Sequence, residues 1–393
     1  MKILVTLSRF PWPTDKGDKL RAWYQLQGLA KQNEVYVFCL SEGEVPAHDL
    51  VRLKEFCKEV YVMPIGILGI FSRLATNLFG KLPFQVAYFH SSEVQKHFEA
   101  FYNKVQPDLV YCQLARMAEY SRHIQGCKKV IDYQDAFSKG IERRINVAPF
   151  YQRLLLREEF RRMKAYETAV LNDFDIRTII SAQDAGYISG CDNNVWTIMP
   201  NGVDTNHYMP EPGSRSIDLL FTGNMQYEPN VNCVHYLIEQ VFPLLQKDLP
   251  HVQLVAAGKN PARSLRRLRA KHLQLTGWVD DLRTYYKQAR VFVAPMQIGI
   301  GMQNKILEAM AMGMPVITSS LANNAIGAEH GKHLFVADTP QKVAEATIYL
   351  LSNTEYALQL GRNARALMVE RFSWQQQNEA LCKILEEGEK EAV

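Results

Sequence analysis

Short apolar runs alternate with longer amphipathic stretches along the 393 residues of this chain. Apolar runs bounded by Gly, Pro or Asp indicate strands, and apolar positions three or four apart indicate helices. In the first half, the pattern predicts strands at Lys2–Leu7, Glu34–Leu40, Val60–Met63, Leu109–Cys112, Lys129–Asp132 and Ile176–Ile180. In the second half, it predicts strands at Leu219–Thr222, Leu254–Ala257, Leu273–Thr276, Val291–Ala294, Pro315–Thr318 and His333–Val336. This alternation predicts an α/β protein with parallel, doubly wound sheets.

The length and composition narrow the class of protein. A chain of 393 residues is too long for one ordinary core, so we expect two domains. With 47% hydrophobic and 22% charged residues, the composition is that of a soluble globular protein, and a net charge of +4 is too weak to indicate nucleic acid binding. Seven cysteines without regular spacing suggest reduced thiols in a cytoplasmic protein. Lys2 leads directly into a strand, so we expect no signal peptide.

The stretch Val291–Ser319 carries the strongest candidate chemistry. Its strand ends at Pro295, and Gly299 and Gly301 then precede a helical pattern that begins near Met302. The first amides of a helix are unpaired and lie at the positive end of its dipole, so a glycine turn feeding a helix can bind an anion. A G-x-G pattern before a helix can also be no more than a tight turn, and both interpretations stay open on spacing alone.

Polar residues follow that turn at helical spacing. Gly301, Asn304 and Glu308 share one face of the predicted helix. Lys305 lies beside them as a compact charge suited to phosphate. The stretch therefore offers amides and a lysine for a diphosphate, and a carboxylate further along for sugar hydroxyls.

The whole stretch resembles the donor-binding motif of glycosyltransferase family 4, whose core reads roughly P-x-x-x-E-G-x-G-x-x-x-x-E-A-M-A-x-G-x-P-V-I. The matching residues are Pro295, Gly299, Gly301, Glu308, Ala309, Met310, Ala311, Gly313, Pro315, Val316 and Ile317. The resemblance implies a GT-B fold, with two Rossmann-like doubly wound domains facing each other across a cleft. It also implies a retaining transferase that uses nucleoside diphosphate sugars. Ile300 replaces the family's usual first glutamate, which touches the donor sugar, so it bears on sugar choice and activity.

A turn cluster at Met199–Asp204 extends the resemblance to the domain boundary. Its PNGVD sequence, followed by Tyr208 and Pro210, matches the family's interdomain motif. We therefore expect a first, acceptor-side domain and a second, donor-binding domain, with a final helix that crosses back onto the first. The expected ranges are 1–199, 200–373 and, for the final helix, 374–393.

The loop after the first strand resembles a narrower subgroup, bacterial exopolysaccharide-type transferases that begin P-x-P-x-D-K-G-D-K-x-R. The matching residues are Pro11, Pro13, Asp15, Lys16, Gly17, Asp18, Lys19 and Arg21. In the family this loop lies against the donor phosphates and the acceptor, which implies acceptor-side roles for Asp18, Lys19 and Arg21. From residue types alone, it can equally be a rigid, solvated loop.

A second strand-end loop contains two aspartates, Asp132 and Asp135. Many family members carry a histidine here, near the reacting sugar, whereas the subgroup carries acidic residues. The resemblance implies an acceptor-side position for Asp132 and makes Asp135 the catalytic candidate that contacts the acceptor hydroxyl. An ordinary helix N-cap is the alternative for Asp135.

The resemblance also implies a set of donor-binding positions at the strand ends and along the motif helix. They are Gly17, Gly223, Lys259, Gly277, Trp278, Val279, Gly299, Gly301, Met302, Gln303, Asn304 and Glu308. Glu308 would bind the ribose diol, the Gly277 turn would hold the base, and Lys305 would stabilise the leaving diphosphate as a catalytic residue. The run GNMQYEPNVN lacks the Arg and Lys typical of the family, so Lys259 and Lys305 would supply the positive charge.

Three other stretches allow two interpretations each. Phe150–Asp173 is an Arg-rich helix that could meet anionic lipid or a pyrophosphate-linked acceptor, or simply present a solvated face. Ile65–Lys81 is weakly amphipathic, and we expect a buried helix or loop there rather than a membrane-surface segment. Asp173 and Asp175 spell D-x-D, which we interpret as turn chemistry rather than a metal site.

Together these patterns predict a cytoplasmic glycosyltransferase of polysaccharide biosynthesis. We expect no metal or other cofactor, a nucleotide-sugar donor, a glycan or lipid-linked acceptor and no nucleic acid partner, with peripheral association at the inner membrane face an open possibility. Two alternatives remain: a nucleotide-sugar-binding protein without catalysis, and a GT-B nucleotide-sugar epimerase.

Overall fold

The computed structural model describes residues 1–189, 196–211, 213, 215–268, 270–299 and 301–390. The chain divides into two compact units. The first comprises Met1–Pro200 and Asn378–Val393, and the second comprises Asn201–Gln377. The units therefore change after residues 200 and 377, whereas the sequence predicted changes after residues 199 and 373, one and four positions earlier. Ile300, on which the expectation about sugar choice depends, lies outside the described residues.

The first unit is built on a parallel sheet of seven strands. They are β1 (Lys2–Leu7), β2 (Glu34–Ser41), β3 (Glu59–Pro64), β4 (Leu109–Gln113), β5 (Lys128–Asp132), β6 (Ile176–Ile179) and β7 (Thr197–Ile198). Their order is β3-β2-β1-β4-β5-β6-β7. Ile3 pairs with Val35 of β2 and with Leu109 of β4, which makes β1 an interior strand of the sheet. The six longer strands match the sequence pattern, whereas the two residues of β7 are too few to show a period.

Helices cover both faces of this sheet. They are α1 (Gly17–Leu29), α2 (Ala47–Lys54), α3 (Ile67–Asn77), α4 (Phe84–Phe89), α5 (Ser92–Val105), α6 (Ala118–Ser121), α7 (Phe137–Val147), α8 (Phe150–Val170) and α9 (Ala182–Ser189). Because strand side chains alternate between faces, Leu4 packs in one apolar cluster and Ile3 and Val5 in the other.

The second unit repeats the plan with six parallel strands. They are β8 (Ile217–Thr222), β9 (Leu254–Ala257), β10 (Leu273–Leu275), β11 (Ala289–Ala294), β12 (Val316–Thr318) and β13 (Phe335–Val336). The order is β10-β9-β8-β11-β12-β13. In both sheets the order reverses beside the unit's first strand, between β1 and β4 and between β8 and β11. Ligands of doubly wound sheets bind beyond the carboxyl ends of the strands at such a reversal.

The helices of the second unit follow, and the last helix, α18, begins in the second unit and continues into the first. They are α10 (Glu228–Tyr236), α11 (Phe242–Leu245), α12 (Arg263–Arg267), α13 (Arg283–Gln288), α14 (Asn304–Ala311), α15 (Ser320–Asn323), α16 (Pro340–Ser352), α17 (Thr354–Arg371) and α18 (Trp374–Lys390), with a π-helical turn at Leu237–Val241. At its start, α18 packs Trp374 against Gly202, where a Cβ would lie 2.5 Å from the indole. Further along, Leu381 and Leu385 are buried in the core of the first unit.

The structure corrects one expectation about burial. Most of Ile65–Lys81 forms α3, but this helix is not fully covered: Ile67, Leu68 and Phe71 are 66%, 87% and 67% exposed. Phe79, just beyond it, is 97% exposed. The expectation of a buried segment was wrong because the apolar face of α3 is wider than the side that meets the core, where Ile70 is buried. Among the described residues, we find no helix long and apolar enough to cross a membrane.

Candidate functional site

The candidate donor site includes two glycine turns, one at the carboxyl end of β8 and one at the carboxyl end of β9. Gly223 and Gly258 have φ values of 148° and 145°, a region that side-chain-bearing residues rarely adopt. A Cβ on Gly258 would lie 1.8 Å from the carbonyl oxygen of Gly223, so the two backbones touch. The amide of Met225 donates to the carbonyl of Lys259 at 2.9 Å and fixes the neighbouring turn.

The motif turn after β11 leads into the open N-terminus of α14. Gly299 and Gly301 have φ values of 142° and 63°, which explains why the sequence has glycine at both positions. The side chain of Gln303, the N-cap residue, makes no capping hydrogen bond, so the first helical amides are not covered by it. Such a terminus can bind an anion. Met302 is buried beneath the turn.

Lys305 lies in the first turn of α14 with a half-buried side chain. Its Nζ donates to Oδ1 of Asn230 at 2.5 Å and lies 5.0 Å from the centre of the Phe221 ring. Burial lowers the pKa of Lys305 to about 8, although Cys233 and Glu308 act in the opposite direction. Nζ also lies 3.4 Å from Oε1 of Gln303, so the ammonium is held among neutral partners, and an anionic ligand would interact with it more strongly.

Glu308 lies one turn further along the same helix. The hydroxyl of Tyr286 donates to Glu308 Oε2 at 3.0 Å and lies 2.8 Å from the hydroxyl of Thr222. Burial raises the pKa of Glu308, and the hydrogen bond to Tyr286, the charge of Lys305 and a hydrogen bond to Tyr208 oppose that rise. The carboxylate is thus held in one orientation at the strand ends.

Asn304, the first residue of α14, is tied to the interdomain turn. Asn201 Nδ2 donates to Asn304 Oδ1 at 3.1 Å, and both residues belong to the second unit. The side-chain oxygen of Asn304 is therefore engaged within the second unit.

The remaining predicted donor positions lie on separate turns. Gly277 has a φ of 73°, and no atom lies within 4 Å of the position of its Cβ, so there is space beside it. Trp278 is 70% exposed, and its Nε1 donates to Asp280. Val279 lines a cleft of about 840 Å³ together with Ile217 and Asp218 at the amino end of β8, and the described glycine turns at the carboxyl ends of the strands do not line this cleft. Gly17, in the first unit, begins α1 and likewise has open space around its Cβ position.

The sequence analysis missed two residues that contact the predicted donor-binding side chains. Asn230 accepts a hydrogen bond from Lys305 and so orients it. It lies in the run GNMQYEPNVN, and the only signal there was that this run lacks the basic residues typical of the family. Tyr286 orients Glu308 from α13, where it follows the apolar spacing of an ordinary core residue. No local sequence pattern distinguishes a tyrosine that orients a carboxylate from one that only packs in the core.

In the first unit, the predicted acceptor-side pair Arg21 and Asp132 is fully buried. Arg21 Nε donates to Asp132 Oδ2 at 2.6 Å, and the two side chains are 1% and 0% exposed. Asp132 also accepts hydrogen bonds from Gln25, Tyr111, Gln134 and Thr178. A buried ion pair with this many partners holds the strand ends together, so we assign both residues to positioning rather than to contact with an acceptor.

Asp135 follows in the turn after β5. It is half-buried, and its Oδ1 is buried without a hydrogen-bond partner in the described part of the chain. Burial and the neighbouring Asp184 hold the pKa of Asp135 well above its usual range. Gln134, just before it, has a φ of 60°, which turns the chain sharply at this point. The turn presents a carboxyl group that is poised to take up a proton.

Asp18 and Lys19 lie at the start of α1 and are both paired. Asp18 accepts from Arg9 and Arg116, and Lys19 lies 3.3 Å from Asp15.

The D-x-D pair is engaged in structural contacts. Asp173 accepts from Arg122 at 2.6 Å, and Asp175 accepts from the amide of Lys129 at 2.7 Å. Within the described ranges, no group of three or more His, Cys, Asp or Glu residues is arranged to hold a metal ion.

The second unit matches a known family. Residues 216–353 match the family model described as Glycosyl transferases group 1. The chain is 22% identical over 388 residues to an uncharacterized 44.6 kDa protein in the cps region of Klebsiella pneumoniae, covering 94% of this chain and 96% of that protein. It is 28% identical over 200 residues to the GDP-mannose-dependent alpha-(1-6)-phosphatidylinositol monomannoside mannosyltransferase of Mycobacterium tuberculosis, covering 45% of this chain and 52% of that enzyme.

Solved structures resemble the chain over almost its whole length. Sucrose-phosphate synthase from Thermosynechococcus elongatus has a TM-score of 0.74 at 16% identity, covering 98% of this chain and 99% of that one. HepE from Anabaena, solved with UDP, has a TM-score of 0.72 at 15% identity, covering 98% and 100%. These likenesses and the two parallel sheets confirm the predicted GT-B fold of two Rossmann-like domains.

Proposed function

We propose that this chain, a glycosyltransferase of the group 1 type, moves a sugar from a nucleoside diphosphate to a glycan or lipid-linked acceptor with retention of the anomeric configuration. The observation that carries the proposal is the arrangement on α14. Two glycines of positive φ lead into an N-terminus without a side-chain cap, and Lys305 and Glu308 follow on the same helix.

The diphosphate is assigned to the start of α14. Backbone amides after Gly301 and the ammonium of Lys305 supply positive charge without requiring a metal. When the bond between the anomeric carbon and the diphosphate oxygen breaks, a further negative charge develops on that oxygen. Lys305, half-buried beside Phe221, would stabilise this charge more strongly than a solvated lysine could.

The nucleoside is assigned to Glu308 and the Gly277 turn. An ionised carboxylate can accept hydrogen bonds from both ribose hydroxyls. Tyr286 fixes the orientation of Glu308 at 3.0 Å, which reduces the conformational entropy lost on binding. The open space at Gly277 would receive the base.

The acceptor is assigned to the first unit, where Asp135 would receive a hydrogen bond from the attacking hydroxyl. A carboxylate with a raised pKa is a better proton acceptor near neutral pH than an ordinary aspartate. The new bond joins the acceptor oxygen to the anomeric carbon, and the proton of the acceptor hydroxyl is transferred to this carboxylate. Arg21 and Asp132 would hold the turn that carries it.

The relatives support a role in building surface polysaccharides. One is encoded in a cps region, another is a GDP-mannose-dependent mannosyltransferase, and a structural neighbour was solved with UDP. The donor panel for this chain should therefore contain both UDP and GDP sugars.

The test is release of nucleoside diphosphate from each donor, with and without a lipid-linked or oligosaccharide acceptor. We expect release that requires the acceptor, and a product whose anomeric proton coupling shows retention. Binding without release of nucleoside diphosphate would favour the binding-protein alternative. Change of the donor sugar alone would favour the epimerase.

We also propose peripheral association with an anionic membrane surface, through the apolar residues exposed on two segments of the first unit. These are Ile67, Leu68, Phe71, Leu78 and Phe79 on one segment, and Phe150, Tyr151, Leu154 and Leu155 at the start of α8. Arg162 links the segments, because its guanidinium donates to the carbonyls of Asn77 and Leu78. Exposed Arg153 and Arg157 accompany the apolar side chains of α8, a combination that favours anionic lipid.

Vesicle sedimentation tests this association. We expect binding to vesicles that contain phosphatidylglycerol, weaker binding to pure phosphatidylcholine, and loss of binding in the double variant Phe79→Ser, Leu154→Ser. Val51→Ser is the matched control, since Val51 is 59% exposed on another helix of the same unit. Equal sedimentation of the double variant and the control would exclude these segments as the contact.

A further inference from the structure

We propose that Arg9 and Arg116 form a binding site for an oxyanion, a phosphate or a carboxylate, carried by the acceptor substrate. This site rests on the proposed transfer reaction and gives its acceptor a chemical class. It lies in the first unit at the reversal of strand order between β1 and β4. Arg9 follows β1 by two residues and Arg116 follows β4 by three, so both lie where doubly wound sheets bind ligands.

Two guanidinium groups meet a single carboxylate at this point. Arg9 Nη1 and Arg116 Nη2 both donate to Oδ2 of Asp18, at 2.7 and 2.8 Å. Glu42 lies 3.9 Å from Arg9 Nε, with nearly half of its side chain exposed. Two carboxylates therefore face the two arginines, but Asp18 is shared and Glu42 reaches Arg9 only at 3.9 Å, so an oxyanion would give Arg116 an ion pair of its own.

The two arginines are held in an apolar setting that strengthens such an interaction. Arg116 is 8% exposed and lies 4.9 Å from the centre of the Phe89 ring, and Arg9 lies 5.7 Å from the same ring. Burial and the charge of Arg9 lower the pKa of Arg116 to about 10. The Nε atoms of both arginines are buried without a hydrogen-bond partner among the residues that the structure describes. A bound oxyanion would relieve this repulsion between like charges.

The backbone of Leu114 is strained just before the turn that positions Arg116 beside Asp18 and Arg9. Leu114 has a φ of 70°, which is unusual for a bulky residue, and it immediately precedes the 3-10 turn Ala115–Met117. Its amide donates to the carbonyl of Asp132 at 2.7 Å. Strain of this kind persists where the surrounding structure imposes it, and it is concentrated at ligand sites.

The position of the cluster also suits an acceptor. Asp135 follows β5, which pairs with β4 in the sheet, and the charge of Asp18 contributes to the raised pKa of Asp135. The cluster and the proposed proton acceptor are therefore within electrostatic reach of each other. An acceptor anchored by its oxyanion could present a hydroxyl to Asp135.

Calorimetric titration with phenyl phosphate and with glucuronate, in the presence of saturating UDP, tests the site without turnover. We expect at least one probe to bind, and the identity of that probe separates phosphate from carboxylate chemistry. Arg9→Gln and Arg116→Lys should each weaken binding about tenfold or more, since each removes charge-assisted hydrogen bonds. Arg9 is the more exposed of the two, so Arg9→Gln provides a variant that should fold even if Arg116→Lys does not.

Two controls separate this site from the donor site and from general charge effects. Lys305→Ala removes the cation of the proposed donor site, and Arg52→Gln removes an exposed arginine of the first unit; both should leave probe affinity unchanged. If neither probe binds at millimolar concentration, the assignment is overturned. So would undiminished binding by folded Arg9→Gln, or loss of binding in Lys305→Ala. Because no turnover is measured, a failed transferase assay would leave this result unaffected.

Discussion

Replacing Lys305 with alanine is expected to slow sugar transfer far more than it weakens donor binding. The bound diphosphate already carries charge, but an additional negative charge develops as the glycosidic bond breaks, and only interactions that strengthen in the transition state raise kcat. Removal of one such group typically costs about a hundredfold or more in kcat. Lys305→Arg should recover little of this loss, because Nζ fits between Asn230 at 2.5 Å and the Phe221 ring at 5.0 Å, a space suited to a compact ammonium.

The lowered pKa of Lys305 gives this prediction a second, independent readout. With a pKa of about 8, about nine-tenths of the side chains are charged at pH 7 and about one-tenth at pH 9. Because kcat/KM reports on the free enzyme, it should fall on the alkaline side near pH 8. A bound diphosphate favours the charged amine, so the corresponding fall in kcat should occur at higher pH.

Steady-state kinetics from pH 6 to pH 10, on the parent and on Lys305→Ala, decide the matter. We expect the variant to lose both the rate and the alkaline fall in kcat/KM. Lys287→Ala is the matched control, since Lys287 is a half-buried lysine of the same unit that pairs with Glu211 at 2.6 Å. Unchanged kcat in Lys305→Ala, or an alkaline fall that persists without Lys305, would refute its role in stabilising the leaving group.

Three further predictions concern donor binding, metal and stability. Glu308→Ala should weaken nucleotide binding by about 1.5–3 kcal/mol in calorimetry, the scale of hydrogen bonds to a charged group, and equal affinity would exclude the ribose assignment. Turnover should survive EDTA; loss of activity that manganese or magnesium restores would reopen Asp173 and Asp175. Burial raises the pKa of Glu167 to about 7, so its contribution to stability is fully present below about pH 4.5 and is lost as the pH rises through 7. Glu167→Gln should remove up to about 3 kcal/mol of this pH dependence in urea unfolding, and an unchanged pH profile would contradict that origin.

The strands and the donor motif could be predicted because their signals are local. Buried parallel strands are short apolar runs, and the turn at Gly299 and Gly301 requires glycine where φ is positive. Lys305 and Glu308 followed from spacing on a single helix. Each of these features depends on residues within a few positions of one another.

The features that escaped prediction depend on distant partners. Arg21 and Asp132 are 111 positions apart, and their burial against each other cannot be seen in either local sequence. Asn230 and Tyr286 reach the donor helix from other elements, at 75 and 22 positions from their partners. The exposure of Phe79 was missed for a related reason, because only the packed fold decides which apolar segments are covered.

The position of α18 has a consequence for the order in which the newly made chain can fold. Its Asn378 donates to the carbonyl of Tyr24 in α1, and its Leu381 and Leu385 are buried in the core of the first unit. Until α18 has been made, the apolar surface that it covers stays in contact with water. The first unit begins the chain, yet its contacts are complete only when the last helix emerges from the ribosome. The internal contacts of the second unit lie between Asn201 and Gln377, so this unit can finish folding before the first, against the direction of synthesis.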